Sequence, residues 1–286
     1  MTDPGLVVVD KPAGMTSHDV VARVRRAAGT RKVGHAGTLD PMATGVLVLG
    51  VDRATRLLGH LMLTEKAYDA TVRLGAATTT DDAEGEAVAT APTADLAEED
   101  VRASLRAFEG EIQQVPSAVS AIKVDGKRAY ARVRSGEAVE LAARPVTVHA
   151  IEVDAVRRVG DFLDVDLRVS CSSGTYIRAI ARDLGAALGV GGHLTALRRT
   201  AVGPFTLAGA TTDLDHVHVI PIADAARAAF PSVDLDDEQA HDVRFGRKLA
   251  LSLGDDRPHA VFAPDGEFLA LYQQDGDLAR AVAVFV

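Results

Sequence analysis

The stretch at residues 33–45 brings together one aspartate, one histidine and three glycines. The glycines and the Asp40-Pro41 step place unusual demands on the backbone, which predicts an irregular loop. A carboxylate held in such a loop and directed outward could act as a nucleophile or as a general base. The same two residues also fit a plain turn, which is the commonest role of an aspartate before a proline. From these residues alone, both interpretations of Asp40 are open.

Two other kinds of site are disfavoured. The stretch has neither the Gly-Lys-Ser/Thr ending of a P-loop nor the GxGxxG spacing of a dinucleotide site, so a phosphate cradle is the weaker alternative. The single cysteine, Cys171, falls on the apolar face of a predicted strand and is interpreted as core. No cluster of cysteines and histidines has zinc spacing, so we expect no metal site.

The loop is flanked by elements that would hold its ends in place. An apolar strand is predicted at residues 6–9, followed by a helix that Thr16 or Ser17 caps and Gly29 ends. A buried strand is predicted directly after the loop, at residues 46–49. The loop would therefore be fixed by strands on both sides.

Alternation of apolar and polar residues predicts two longer strands. Residues 68–74 alternate so that the Tyr68 ring falls on the apolar face, and residues 163–171 show the clearest alternation in the chain. The second of these strands leads into a helix that carries Ile177 on its apolar side. Another helix is predicted after an acidic loop, with Asp95 as its cap.

These elements do not alternate regularly, which predicts an α+β fold with a mixed, largely antiparallel sheet flanked by helices. Composition shifts near residues 223–231, where an alanine-rich helix ends. Two Asp-Gly pairs beyond it, at residues 265–266 and 275–276, predict hairpin turns. We therefore expect a large domain over residues 1–228 and a small β-rich domain over residues 229–286.

The net charge of -9 argues against unspecific RNA binding, because phosphate contacts usually leave a basic footprint. The distribution of charge is uneven, however. Six basic residues and one acid lie from residue 11 to residue 32, a second basic stretch covers residues 168–199, and acids concentrate between residues 81 and 111. This pattern permits recognition of one folded RNA by its shape.

Nothing in the sequence indicates a membrane or a secreted protein. The longest apolar runs are too short to cross a bilayer, and the first residues do not form a secretory signal. With 47% hydrophobic and 25% charged residues, the chain can build a packed core. We expect a cytoplasmic protein without a membrane partner.

A series of motifs resembles those of the bacterial tRNA pseudouridine-55 synthase family. The loop at residues 33–45 is similar to the family signature G-H-x-G-x-L-D-P-x-A-T-G. Further matches follow the family order over residues 10–205. They are DKPAGMTS at 10–17, KAY with LG at 66–75, DAEG at 82–85, QVP with SAIK and a glycine at 114–126, CSSGTYIR at 171–178, and LRRT with GPF at 197–205.

This resemblance implies an isomerase that converts the T-loop uridine of transfer RNA, position 55 in tRNA numbering, to pseudouridine. Asp40 would be the catalytic carboxylate, acting on the base or the sugar, directly or through a glycal, while the glycosidic bond breaks. Uracil would then rotate and rejoin through carbon 5. Arg178, by itself also compatible with a solvated cation, would pair with Asp40 and keep it ionised. Nothing is gained or lost in this reaction, so no cofactor is expected.

The resemblance also implies a set of substrate contacts. The target base would be flipped out of its loop, Tyr68 would stack on it, and His35 would wedge into the gap. Tyr176 and Leu197 would line the pocket, and Lys11 would support the catalytic loop or touch RNA. Each of these side chains also has an ordinary interpretation as a strand, core or surface residue.

The implied architecture is the pseudouridine synthase fold with a PUA-like RNA-binding module at residues 229–286. A thumb at about residues 123–144 would close over the T-arm stem-loop of tRNA, the expected partner. We expect a monomer without an obligatory protein partner. Three alternatives stay open: an RNA-binding module without chemistry, a guide-RNA-dependent synthase that needs partner proteins, and a nucleotide-binding hydrolase.

Overall fold

The computed structural model describes residues 3–117, 123–124, 127–128 and 141–286. The predicted thumb, at about residues 123–144, lies largely outside these residues and stays a prediction. Within it, residues 123–124 and 127–128 pair as two short antiparallel strands.

Strands outnumber helices among the described residues. In chain order they are β1 (Gly5–Lys11), β2 (Val33–His35), β3 (Thr44–Val51), β4 (Lys66–Leu74), β5 (Ala76–Thr78), β6 (Ala87–Thr90), β7 (Gly110–Gln114), β8 (Lys123–Val124), β9 (Lys127–Arg128), β10 (Arg144–Val159), β11 (Phe162–Cys171), β12 (Gly192–Val202), β13 (Phe205–Thr206), β14 (Ile220–Pro221), β15 (Ser232–Asp234), β16 (His259–Phe262), β17 (Phe268–Asp275) and β18 (Leu278–Val284).

The helices lie between the strands along the chain. They are α1 (Ser17–Ala27), α2 (Leu58–Leu61), α3 (Glu98–Arg106), α4 (Ile177–Ala187), α5 (Ile222–Ala229) and α6 (Asp237–Arg244), with 3₁₀ turns at Asp52–Leu57 and Leu207–Gly209. Among the described residues, no helix combines the length and the apolar character needed to span a membrane.

One large sheet organises most of the chain. Its strands follow the order β14-β1-β3-β12-β4-β11-β10-β7, with β2 paired to β3 and β13 paired to β12. Adjacent strands of this sheet are antiparallel except for β3 and β12, which run parallel to each other. The predicted α+β architecture, with a mixed and largely antiparallel sheet, is therefore confirmed.

Helices α1 and α4 bury their apolar sides in one core with this sheet. Val24 of α1 and Leu184 of α4 are both fully buried there. Helix α4 also packs closely on the start of β12, where a Cβ on Gly185 would collide with the backbone of Gly192. Only glycine permits so close an approach, which fixes α4 and the residues at its start against the sheet.

The helix starts show one confirmed and one wrong prediction. Thr16 caps α1 in a capping box, its hydroxyl accepting the Asp19 N–H while the Asp19 carboxylate accepts the Thr16 N–H. The predicted cap at Asp95 is wrong, because α3 begins at Glu98 with Ala97 at the N-cap position. Three acids in the first turn of α3 interact favourably with the helix dipole, so this helix does not depend on a capping side chain.

A second sheet forms from the last strands, in the order β15-β16-β17-β18. The antiparallel pairs β16–β17 and β17–β18 are joined at the predicted Asp-Gly turns, where Gly266 and Gly276 have positive φ angles of 85° and 63°. These hairpins are therefore confirmed. One side of this sheet encloses a small apolar core with α6, which includes Val243 and Leu269.

The other side of the C-terminal sheet shares a core with the large sheet. Phe262, Phe268 and Phe285 pack in one buried cluster with Leu6 of β1 and Val48 of β3. The division of the chain near residue 228 stays a prediction. The shared core means that the two sheets are joined by a continuous apolar contact, and not only by a linker.

Candidate active site

Asp40 lies in the loop between β2 and β3. Its carbonyl oxygen accepts a hydrogen bond from the Ala43 N–H at 3.1 Å, so the turn predicted at this position is present. Its carboxylate is 34% exposed and faces Arg178. The turn and the outward carboxylate, which the sequence left as alternatives, therefore occur together.

Arg178 contacts the Asp40 carboxylate through two nitrogen atoms of its guanidinium group. The distances are 3.0 Å from Nε to Oδ2 and 3.3 Å from Nη2 to Oδ1. The arginine is the second residue of α4, and its side chain is only 5% exposed. Two-point contact from a buried guanidinium orients a carboxylate more strongly than a single bond. The structure thus brings together the two residues that the resemblance pairs.

Asp82 is a second carboxylate on the same guanidinium, and sequence reasoning assigned it no role. Its Oδ2 lies 3.4 Å from Nη1 of Arg178, and its side chain is 4% exposed. The same Nη1 donates to the Thr80 carbonyl oxygen at 2.8 Å. Asp82 itself accepts the Glu84 N–H at 3.1 Å. Asp82 therefore fixes Arg178 through Nη1, while Asp40 contacts Nε and Nη2. The DAEG motif at residues 82–85 was the sequence feature that could have pointed to this role.

Three charged neighbours act on the protonation of Asp40. Burial raises the pKa of its carboxyl above the ordinary value, and the negative charge of Asp82 raises the pKa further. The positive charges of Arg178 and Lys11 oppose this rise. The net direction is upward, so Asp40 takes up a proton at a higher pH than an exposed aspartate does.

Lys11, at the end of β1, is fully buried and holds the loop between β2 and β3 through hydrogen bonds. Its Nζ donates to the carbonyl oxygens of Pro12, Met15 and Pro41 at 3.0, 2.7 and 3.2 Å. Burial lowers the pKa of this ammonium to about 8, although the charge of Asp40 opposes the shift. Of its two predicted roles, the geometry favours support of the loop, because the ammonium is enclosed by backbone.

The Asp40 carboxylate opens onto a cavity of about 260 Å³. Five residues that the sequence analysis singled out contribute to its wall: Asp40, Tyr68, Tyr176, Arg178 and Leu197. The remaining lining comes from the loop between β2 and β3, from the turn before α4, from Ile177 at the start of α4, and from Met62, Lys66 and Arg199. Residues far apart in the chain thus converge on one cavity.

Tyr68 and Leu197 lie on the adjacent strands β4 and β12 and are each 8% exposed. Burial raises the pKa of the Tyr68 hydroxyl, while the charge and a side-chain hydrogen bond of Arg199 lower it. Tyr176 occupies the N-cap position of α4, where its N–H donates to the Gln114 Oε1 at 2.8 Å. The two tyrosines are held from different elements of the fold.

His35 lies at the end of β2, outside the residues that line the cavity. Its ring meets that of His18 edge-on, with centroids 5.8 Å apart. The structure therefore does not bring His35 into the cavity with Asp40. A position beside the cavity is compatible with the predicted wedge into RNA, which stays a prediction.

Two buried cations in the cavity wall belong to the family motifs, but the sequence predicted no role for them. Lys66 is 7% exposed and Arg199 is 1% exposed. Arg199 faces Gly45 across the parallel β3–β12 pair, where a Cβ on Gly45 would collide with the Arg199 backbone. The positive φ of 102° at Gly45 likewise favours glycine. The family glycine thus permits the close contact between the catalytic loop and β12.

The described residues contain no group of three or more metal-ligating side chains that could hold an ion. Cys171 is fully buried, and burial raises the pKa of its thiol to about 11, as expected for an unreactive core position. The absence of a cofactor stays a prediction.

Comparison with known proteins identifies the family. Residues 25–177 match the profile described as the TruB family pseudouridylate synthase N-terminal domain. Residues 178–227 and 230–286 match the tRNA pseudouridylate synthase B C-terminal domain and the tRNA pseudouridine synthase II C-terminal profile. The chain belongs to the TruB family. Its N-terminal family match contains Asp40, Tyr68 and Asp82, while Arg178 opens the next one.

Curated TruB-family relatives match along nearly the whole chain. A tRNA pseudouridine synthase B from Arthrobacter sp. (strain FB24) is 59% identical over 294 residues, covering 98% of this chain and 96% of the relative. The protein of that name from Thermobifida fusca (strain YX) is 60% identical over 289 residues, covering 98% of each. The recognition of the family from its motifs is therefore confirmed.

Solved structures show the same fold. The chain superposes on a Cbf5-Nop10-Gar1 complex with a TM-score of 0.72 and 27% identity, covering 99% of this chain and 85% of the matched one. A structure described as an H/ACA RNP bound to a substrate RNA containing 2′-deoxyuridine gives 0.71 and 26%, with the same coverage. The predicted pseudouridine synthase fold of this TruB-family chain is therefore confirmed.

Proposed function

We propose that this protein is a tRNA pseudouridine synthase that isomerises the T-loop uridine, position 55 of tRNA, to pseudouridine. The carrying observation is the Asp40 carboxylate, held at two points by a buried Arg178 at the mouth of a cavity that Tyr68 also lines. Membership of the TruB family and relatives named tRNA pseudouridine synthase B support the assignment.

The reaction breaks one bond and forms another without any net change in composition. The N1–C1′ bond of uridine breaks, uracil rotates, and a C5–C1′ bond forms in its place. The proton lost from C5 is balanced by the proton that N1 carries in the product. This balance requires neither an oxidant nor a reductant.

Asp40 supplies the reactive carboxylate in this proposal. Arg178 favours its ionised form and fixes both oxygens, so that one carboxylate face points into the cavity. Asp82 holds Arg178 in that position, and Lys11 holds the loop through the Pro41 carbonyl oxygen. The carboxylate is therefore pre-oriented before substrate enters, which lowers the entropic part of the barrier.

The target base must leave its stacked loop to reach Asp40. Tyr68 would stack on the flipped uracil, a contact worth about 1–3 kcal/mol per base in single-stranded RNA recognition. Leu197 and Tyr176 would close the cavity around it. Their common position in the cavity wall supports these roles.

Basic residues on and after α1 are a suitable surface for the T-arm backbone. Arg23, Arg26, Arg31 and Lys32 are all exposed. Each phosphate contact adds affinity that falls with salt.

We propose that a monomer binds the T-arm without an obligatory protein partner, in the cytoplasm where tRNA is processed. The domain division at residues 228–229, with an RNA-binding C-terminal module, belongs to the same proposal.

The decisive experiment is incubation of the protein with unmodified tRNA, followed by mapping of pseudouridine at single-nucleotide positions. We expect one new pseudouridine, in the T-loop at position 55, and the same product on an isolated T-arm stem-loop. Pseudouridine elsewhere, or none, would overturn the proposal. Activity on whole tRNA alone would show that contacts beyond the T-arm are essential.

A chelator experiment tests the expected independence from metal. After exhaustive chelation, with RNA folding controlled by native gel, we expect the full rate. A rate that vanishes and returns only with a divalent ion would contradict the reaction as written here.

An RNA-binding module without chemistry is the rival from another functional class. It would need the exposed basic surface but not the Asp40–Arg178 pair. RNA binding without any product in the mapping experiment would favour it.

A further inference from the structure

Beside Tyr68, the cavity wall contains two positive charges that the mechanism above does not use. They are Lys66 of β4 and Arg199 of β12, and both belong to the lining. Both side chains come close to Gly37, since a Cβ on that residue would lie 3.8 Å from Lys66 Cε and 3.6 Å from Arg199 Nη1. The two cations therefore meet at one place, next to the catalytic loop.

These cations donate hydrogen bonds to backbone carbonyl oxygens, and Arg199 also bonds the uncharged Tyr68 side chain. Lys66 Nζ donates to Met62 and Thr64 at 2.9 and 2.7 Å. Arg199 donates to Val46, Gly37 and Thr38, at 2.7 Å from Nε, 3.1 Å from Nη2 and 3.4 Å from Nη1. Carbonyl groups satisfy the N–H donors but carry no net charge. The positive charge of this wall is thus not neutralised by its bonded partners.

The part of the lining around Arg178 is arranged differently. There Arg178 contacts both Asp40 and Asp82, so its charge is matched by carboxylates. The cavity therefore has a wall with paired charges next to Asp40 and a cationic wall next to Tyr68. A negative charge formed inside the cavity would be drawn toward Lys66 and Arg199.

Placing two like charges together under burial is unfavourable for the folded protein. Burial and the charge of Arg199 lower the pKa of Lys66 to about 8. Such a cost at a cavity wall is typical of groups that act on a substrate.

We propose that Lys66 and Arg199 stabilise the negative charge that develops on the uracil ring during the reaction. The inference rests on the proposed function. If the glycosidic bond breaks by attack on the sugar or by loss of a sugar proton, its electron pair goes to uracil N1 and spreads over both carbonyl oxygens. If Asp40 adds to the base, the enolate formed also carries the charge on the ring. All three routes place an anion beside these cations.

The test compares Lys66→Met with Lys66→Arg in single-turnover assays at pH 7, where Lys66 is mostly protonated. We expect Lys66→Met to lower the rate about 100-fold, the usual scale for one lost electrostatic contact to a developing anion. Tm and tRNA affinity should change little. Lys66→Arg, which keeps the charge, should recover most of the loss. If Lys66→Met does not fold, Lys66→Gln replaces it.

The sharper readout is a T-arm carrying 5-fluorouridine at the target position. Fluorine withdraws electrons and stabilises the uracil anion by itself. Because it replaces the C5 proton, the quantity measured on both substrates is the rate of N1–C1′ bond cleavage, and the Lys66→Met penalty on this rate should shrink about tenfold with fluorine. Lys11→Met is the matched control. Because this buried lysine supports the loop, its replacement should lower the rate by the same factor on both substrates. An equal Lys66→Met penalty on both substrates, or no penalty, would overturn the inference. Failure of the wild type on uridine would instead overturn the proposed function.

Discussion

Around the cavity, charged side chains are buried, whereas in the C-terminal sheet they lie at the surface. Lys11, Arg178 and Arg199 are each at most 4% exposed. The interior of the C-terminal sheet is instead formed by apolar residues such as Val243 and Leu269. Its ion pairs join exposed partners: Arg227 with Asp234, Arg244 with Glu267, and Lys248 with Asp275.

The different placement of charges indicates that the two regions contribute differently to chemistry and to stability. A buried charge is costly unless it is paired or well hydrogen-bonded, and removing one partner of a buried pair destabilises strongly. An exposed ion pair contributes about 0–1 kcal/mol at most. The cavity region therefore retains charges for what they do to a substrate, and apolar packing of the C-terminal sheet on β1 and β3 supports the fold around it.

The largest effect is expected from Asp40→Asn. The amide keeps the shape of the carboxylate but cannot act as nucleophile or base, so pseudouridine formation should fall below detection. Affinity for tRNA should stay within about tenfold, or 1.4 kcal/mol, because the proposed function assigns Asp40 to chemistry and not to anchoring. Near wild-type turnover by this variant in a single-turnover assay would contradict the mechanism.

Asp82→Asn should lower the single-turnover rate by about 100-fold, since it loosens Arg178 and hence the orientation of Asp40. Asp82→Ala, which also removes the acceptor for the Glu84 N–H, should be less stable than Asp82→Asn. A rate unchanged by Asp82→Asn would show that Arg178 needs no second carboxylate.

The same variant has a pH signature. The charge of Asp82 raises the pKa of Asp40. The proposed mechanism requires the ionised form of Asp40. Removing that charge lowers the Asp40 pKa, so the acid limb of the pH–rate profile should move to lower pH. A limb that stays in place or moves upward would contradict this coupling.

Phe268→Ala tests the apolar half of the comparison. Phe268 is 3% exposed and lies with its ring centroid 4.8 Å from that of Phe285. We expect a loss of about 3–5 kcal/mol in unfolding free energy, measured by denaturant titration. The single-turnover rate at saturating enzyme should be unchanged wherever the variant is folded. A folded variant with a lowered rate would show that this core also shapes the active site.

The smallest effect is expected from Arg244→Gln, which removes the exposed pair with Glu267. Stability should change by no more than about 1 kcal/mol, and that change should disappear at high salt. A larger or salt-independent loss would mean that surface pairs matter more in the C-terminal sheet than its exposure indicates.

Several parts of this fold followed from local sequence patterns. The alternation at residues 163–171 predicted β11, Thr16 was one of two predicted caps for α1, and two Asp-Gly pairs predicted the C-terminal hairpins. Each of these signals depends on neighbours in the chain, through side-chain periodicity or turn geometry. The misplaced start of α3 shows the limit, since acids in the first turn replaced a capping side chain.

By itself, the sequence determined the family, the loop that carries Asp40, and the motif positions of the residues around it. Only the tertiary structure decided that Asp82 supports Arg178, that Lys11 is enclosed by backbone, and that Lys66 and Arg199 form one cationic wall. Asp40 and Arg178 meet across 138 positions of the chain. No periodicity or spacing encodes such a contact, because it arises when strands distant in sequence become neighbours in a sheet.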